Sequence, residues 1–248
     1  MVRTLFSKSA LVCLLASTCF SSRTWADGPT SIEFRGDVRV PQIAFAIDEI
    51  LQSVFVVGSP QPRLMIEFHV DGTSLPAQGY RIERIENPAG FRITGGDATG
   101  AMYGGLDVAE AIRINALSEL AEGERRPHIE RRGIKFNIPL DLRTPSYSDN
   151  ADSFQANIPE VWSVAFWHEF LDEMARHRYN VLTLWNLHPF PSIVRVPEFP
   201  DVALNDVWRT RVRLDDAFSH SGSDMVRPDM LRDVEIVRRM RIDEKIAF

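Results

Sequence analysis

Arg132-Gly-Ile-Lys-Phe-Asn-Ile-Pro-Leu-Asp141 and Val181-Leu-Thr-Leu-Trp-Asn-Leu-His188 are two short apolar runs that end in polar residues. The segment between them carries an amphipathic helical pattern from Val161 to Tyr179. Parallel strands need a crossover of about this length, so the stretch reads as strand, helix, strand, the first turn of a (β/α)8, or TIM, barrel. Barrel enzymes place their functional groups at the C-terminal ends of the strands. That rule points to Asp141 and Arg143 past the first strand and to Trp185, Asn186 and His188 at the second. A complete barrel takes about 250 residues, and only about 120 follow Arg131, so the expectation is an incomplete barrel segment.

Within the helical stretch, Asn157 and Glu160 have the spacing of a capping box, with Pro159 in the first turn. Val161, Trp162, Phe166, Trp167, Phe170, Leu171 and Met174 form the apolar stripe, and Glu169, Asp172, Glu173, Arg176 and His177 the polar one. After Phe190 the prolines at 191, 197 and 200 predict a long loop, followed by a helix from Asp229 to Met240 and no third strand.

Upstream, Ser31 to Gly36 alternates as a strand, and Pro41 opens a helix marked by Ile43, Ile47, Ile50, Leu51 and Val54. Arg63 to Val70, Tyr80 to Ile85 and Phe91 to Thr94 read as three more strands, and Ala98 to Ile114 as a second helix capped by Asp97. The result is an α+β domain over residues 27–118. Glu119 to Arg131, charged and without apolar period, reads as a linker to the barrel segment at 132–248.

The first 26 residues have the plan of a secretory signal: Arg3 and Lys8, an apolar core from Ala10 to Phe20, and Thr24-Trp25-Ala26 as the cleavage site. The expected location is secreted or periplasmic, with no membrane span. Both cysteines, Cys13 and Cys19, lie inside that segment, which excludes disulfide, thiolate-metal and cysteine-nucleophile chemistry from the mature chain. No cofactor and no metal are expected. Removing Arg3, Lys8 and Arg23 from the 28 basic residues leaves 25 against 34 acidic ones, a formal charge of −9, which argues against a nucleic-acid partner.

Gly79-Tyr-Arg-Ile82, Phe91-Arg-Ile-Thr-Gly-Gly-Asp97 and Gly100-Ala-Met-Tyr-Gly104 resemble the small domain that precedes the catalytic barrel in β-N-acetylhexosaminidases and α-glucuronidases. Arg132-Gly133 resembles the opening of the hexosaminidase barrel, and Arg178-Tyr-Asn-Val-Leu182 the Lys-Leu-Asn-Val-Leu that opens its second strand. In that alignment the hexosaminidase aspartate falls on Asn137 and its sugar-binding arginine on Leu140, so that this arginine is missing unless Arg143 replaces it. The strand-two histidine falls on Trp185. Asn186 fits the asparagine-rich end of the α-glucuronidase strand better, with His188 at the place of a further asparagine. The resemblance implies an exported glycoside hydrolase acting on an oligo- or polysaccharide, with its catalytic carboxylates on later strands.

Glycoside hydrolysis needs a pair of carboxylates across the sugar, and Asp141 stands alone at a strand end. Asp141 and Arg143 either touch substrate, or else pair with each other or cap the loop at Thr144-Pro145. Trp185, Asn186 and His188 either form a platform with polar groups for sugar hydroxyls or are a buried ring and a core histidine. The class in contention with the enzyme is a non-catalytic carbohydrate-binding or interaction module, or an inactive fragment.

Three other motifs lack a required member. His168-Glu169 meets Asp172 where a zinc-protease helix needs histidine, and Gly95 to Gly100 leads into Ala101-Met102 where a phosphate loop needs Lys and Ser or Thr. Ser219 to Asp224, with His220, reads as a loop.

Overall fold

The structure is a computed structural model that describes residues 23–24, 32–57, 63–144, 151–186, 192–214 and 228–247. The chain divides into two compact units, Met1–His128 and Ile129–Phe248.

In the first unit the strands are β1 (Arg23–Thr24), β2 (Ile32–Gly36), β3 (Leu64–Val70), β4 (Tyr80–Glu86), β5 (Ala89–Gly95) and β6 (Gly123–Arg125). They form one open sheet in the order β1-β2-β3-β5-β4-β6. β2, β3 and β5 run parallel, and β4 is antiparallel to both β5 and β6. Helices α1 (Pro41–Val57) and α2 (Ala98–Arg113) supply the crossover and the closing layer. Alternation along the strands buries Phe34, Ile66, Phe68, Ile82 and Ile93. The opposite face carries Arg35, Glu67, Arg92 and Glu83 in one register row. Their signs alternate, as cross-strand neighbours require, and Arg92 meets Glu67 at 3.0 Å.

Asp97 caps α2 by accepting the Gly100 N–H at 2.7 Å, as the sequence predicts. Glycine at 105 lets the helices approach, because a Cβ there would stand 2.7 Å from the Ala46 Cβ and 3.1 Å from the Phe68 ring. Two features differ from the expected plan. β6 lies inside the stretch read as linker and extends the sheet at β4. β1, within the expected leader, pairs antiparallel with β2.

In the second unit β7 (Gly133–Asn137) and β8 (Val181–Trp185) pair in parallel. One helix was expected between them, and there are two, α3 (Ala151–Val161) and α4 (Val164–Arg176). Asn157 and Glu160 lie within α3, and the cap is Ser163, which accepts the Phe166 N–H. Pro159, inside α3, has no N–H for the ladder, and the chain turns after Val161. The Trp167 indole then donates to the Val161 carbonyl at 2.8 Å, one of the acceptors that a helix end leaves open.

Past β8 the structure departs from the expected loop. β9 (Val194–Arg195) pairs in parallel with β12 (Ile246–Ala247), and β10 (Asp206–Thr210) pairs antiparallel with β11 (Val234–Arg239). The helix expected from Asp229 to Met240 is a 3-10 turn at Pro228–Arg232 followed by β11. Val234, Ile236 and Val237 suit a pleated surface, and β10 offers the backbone partners that a helix would have supplied internally.

α4 packs Phe166, Trp167 and Phe170 on Phe136 of β7, with centroids 5.3 to 6.2 Å apart. α3 packs Phe154 and Ile158 on Val207 of β10 instead. The result is a mixed α/β unit with open sheets. Among the described residues no strand continues the β7–β8 pair toward a closed barrel.

Candidate functional site

The strand order places two groups of polar side chains near the C-terminal ends of β7 and β8. The first follows β7. Arg143 Nε donates to Asp141 Oδ1 at 2.8 Å and its Nη2 to Asp141 Oδ2 at 3.0 Å. The same Nη2 reaches Asp206 Oδ1 at 2.7 Å and the Asp206 carbonyl at 2.9 Å. Asp141 is fully buried and also accepts the backbone N–H groups of Arg143 and Trp208, each at 2.7 Å. The guanidinium lies 4.0 Å from the Trp208 ring centre.

Burial opposes the charge of Arg143, but its bonds to Asp141 and Asp206 outweigh that and hold its pKa above the usual value. Burial alone would also raise the Asp206 carboxyl. The donors Trp208 and Arg143 and the charges of Arg143 and Arg239 offset that and hold it below the usual range.

Asn186, directly after β8, is buried, and its Nδ2 donates to the carbonyls of Ile138 at 2.7 Å and Thr144 at 3.3 Å. Asp141, Arg143 and Asn186 thus fasten the segment after β7 to β8 and to β10. Asp141 and Arg143 adopt the pairing that the sequence left open as one of two readings.

The second group lies on the strands. Asn137 and Trp185 are register partners, as are Lys135 and Thr183. Because Phe136 faces α4, alternation turns Lys135 and Asn137 to the opposite face of β7. Trp185 lies there too, with the Lys135 ammonium 4.7 Å from its ring centre. Asn137 Oδ1 is buried without a hydrogen-bond donor among the described residues.

Sequence reasoning aligned Asn137 with a family position without proposing it as a ligand residue, and it passed over Lys135. The alternation about Phe136 was the available signal. His188, a residue read as part of the site, lies outside the described residues.

Lys245 is a further buried charge. It is 4% exposed and donates to the Ser192 carbonyl at 2.6 Å. Burial pushes its ammonium pKa down, against the opposing charges of Glu244 and Asp206. Among the described residues no group of three or more His, Cys, Asp or Glu side chains is placed to hold a metal. No described helix is long and apolar enough to cross a membrane.

The fold is similar to part of a solved carbohydrate-active enzyme. A solved structure described as a GH138 enzyme targeting pectin rhamnogalacturonan II matches with a TM-score of 0.52 and 19% identity over 75% of this chain. This chain spans 21% of that enzyme's length. No family model matches the chain, and no curated protein does.

Proposed function

We propose that this is an exported, carbohydrate-active protein in which a saccharide meets the C-terminal ends of β7 and β8. The observation that carries the reading is Trp185, an aromatic ring at a strand end, standing beside Asn137 and Lys135 on the face turned away from α4. Aromatic rings beside convergent polar groups suit the apolar faces and hydroxyls of sugars. The fold likeness to a carbohydrate-active enzyme supports the same class. In this reading Asp141, Arg143 and Asn186 form the frame of the site, with Arg143 its rim, and the sequence position of His188, three residues past the end of β8, makes it a further candidate ligand group.

Glycosidic hydrolysis needs a carboxylate pair across the sugar, and no described residue is assigned to that pair here. Asp141 and Asp206 are read as parts of the frame rather than as that pair. Both share the guanidinium of Arg143, so neither is poised as an acid or a nucleophile.

The test is titration of the full chain and of Trp185→Ala with a panel of neutral and acidic oligosaccharides. Binding that weakens at least tenfold in the variant, with its melting temperature kept, supports the reading. Absence of binding to every saccharide would sink it.

A further inference from the structure

We infer that Lys135 determines specificity, so that the ligand of the β7–β8 face is a saccharide bearing an anionic substituent; this rests on the carbohydrate reading above. Three arginines of the second unit are paired with acids: Arg143 meets Asp141 and Asp206, Arg209 meets Glu235, and Arg211 meets Asp233. Lys135 is treated differently. It is exposed, and its contact is the Trp185 ring, with no carboxylate paired to it among the described residues.

A ring under an ammonium orients the charge and leaves its N–H donors for a separate acceptor. Beside it, the Asn137 Oδ1 acceptor lacks a donor among the described residues. Buried polar atoms are normally satisfied, and each exception calls for a cause. A pyranose with a carboxylate or a sulfate ester supplies both missing partners: the anion accepts from Lys135, and a ring hydroxyl donates to Asn137. The interior of a barrel is ordinarily filled by apolar layers, and a lysine and an asparagine on the equivalent face depart from that pattern.

The experiment uses the full chain with three probes: a uronate oligosaccharide, its carboxyl-reduced neutral counterpart, and a sulfated oligosaccharide. The uronate or the sulfated ligand is expected to bind about tenfold or more tightly than the neutral one, in a salt-sensitive manner, since a charge-assisted hydrogen bond carries that much. Which of the two is preferred identifies the anion. Lys135→Met abolishes the preference, bringing the charged probes to the affinity of the neutral one, whereas Lys135→Arg retains it. Equal affinity for charged and neutral probes, or a preference that survives Lys135→Met, overturns the inference and leaves the carbohydrate reading intact. If none of the probes binds while the oligosaccharide panel finds another ligand, this inference alone fails. If nothing binds at all, the carbohydrate reading falls and this inference with it.

Discussion

Asn137 and Trp185 are direct partners across the parallel β7–β8 pair, and both lie on the face opposite Phe136 and its aromatic partners on α4. The ring shares with Lys135 the face turned away from α4, and Asn186 donates to two backbone carbonyls. Ligand and stability effects should divide accordingly.

Trp185→Ala should weaken saccharide binding by roughly tenfold, about 1.4 kcal/mol and near the upper end for an aromatic contact, and should move the melting temperature little. Calorimetric titration beside thermal unfolding checks both halves. A large drop in melting temperature at unchanged affinity would return the ring to a packing role.

Asn186→Ala removes the donor that holds the carbonyls of Ile138 and Thr144. Stability should fall by about 1 to 3 kcal/mol, the cost of leaving buried acceptors unmet. Urea unfolding measures this, and a midpoint equal to that of the parent chain would remove Asn186 from the frame.

Asp141→Ala leaves Arg143, which stays partly buried, without its bidentate partner, and frees the Trp208 N–H. Breaking such a pair costs about 3 to 5 kcal/mol, so the second unit should unfold at markedly lower denaturant. Asp206 adds a pH signature. Its folded pKa lies below the ordinary carboxylate value of about 3.9, so its contribution is present above that value and is lost as pH falls through the folded pKa. Asp206→Asn should flatten the acid side of the stability curve. An unchanged acid limb would show that the linkage lies elsewhere.

Lys245 has the opposite sense. Its folded pKa is depressed by burial, so the folded state binds fewer protons than the unfolded one between the folded value and about 10.4, and stability rises with pH across that window. Lys245→Met should raise the melting temperature near pH 7, with the gain shrinking as pH approaches about 10. A variant less stable than the parent at both ends would show that the bond to the Ser192 carbonyl outweighs the cost of burying the charge.

Gly105→Ala sets two effects against each other. Helix propensity favours alanine by about 1 kcal/mol, while the added Cβ meets Ala46 at 2.7 Å and Phe68 at 3.1 Å, an overpacking that costs about 1 to 3 kcal/mol. Net destabilisation is expected in thermal unfolding of the full chain. A stabilised variant would mean that α1 and α2 can separate without loss.

Elements whose signals are local were legible in the chain before it folds. The alternation in β2 to β5, the apolar period of α1 and α2, the Asp97 cap and the parallel pairing of β7 with β8 all follow from patterns carried by short runs of residues. Packing settled what such patterns leave open. Val234 to Arg239 satisfies a helical period and a strand composition alike, and it became a strand because β10 offers an open row of backbone groups. Pro159 and Ser163 are both compatible with a helix start, and the packing of α3 on β10 and of α4 on β7 selected the break between them. Asp141 could not be read as frame or ligand group, because Trp208, whose N–H it accepts, and Asp206, which shares the Arg143 guanidinium with it, lie more than sixty residues away. A side chain's role follows from which atoms reach it, and contacts at that separation exist only once the chain has folded.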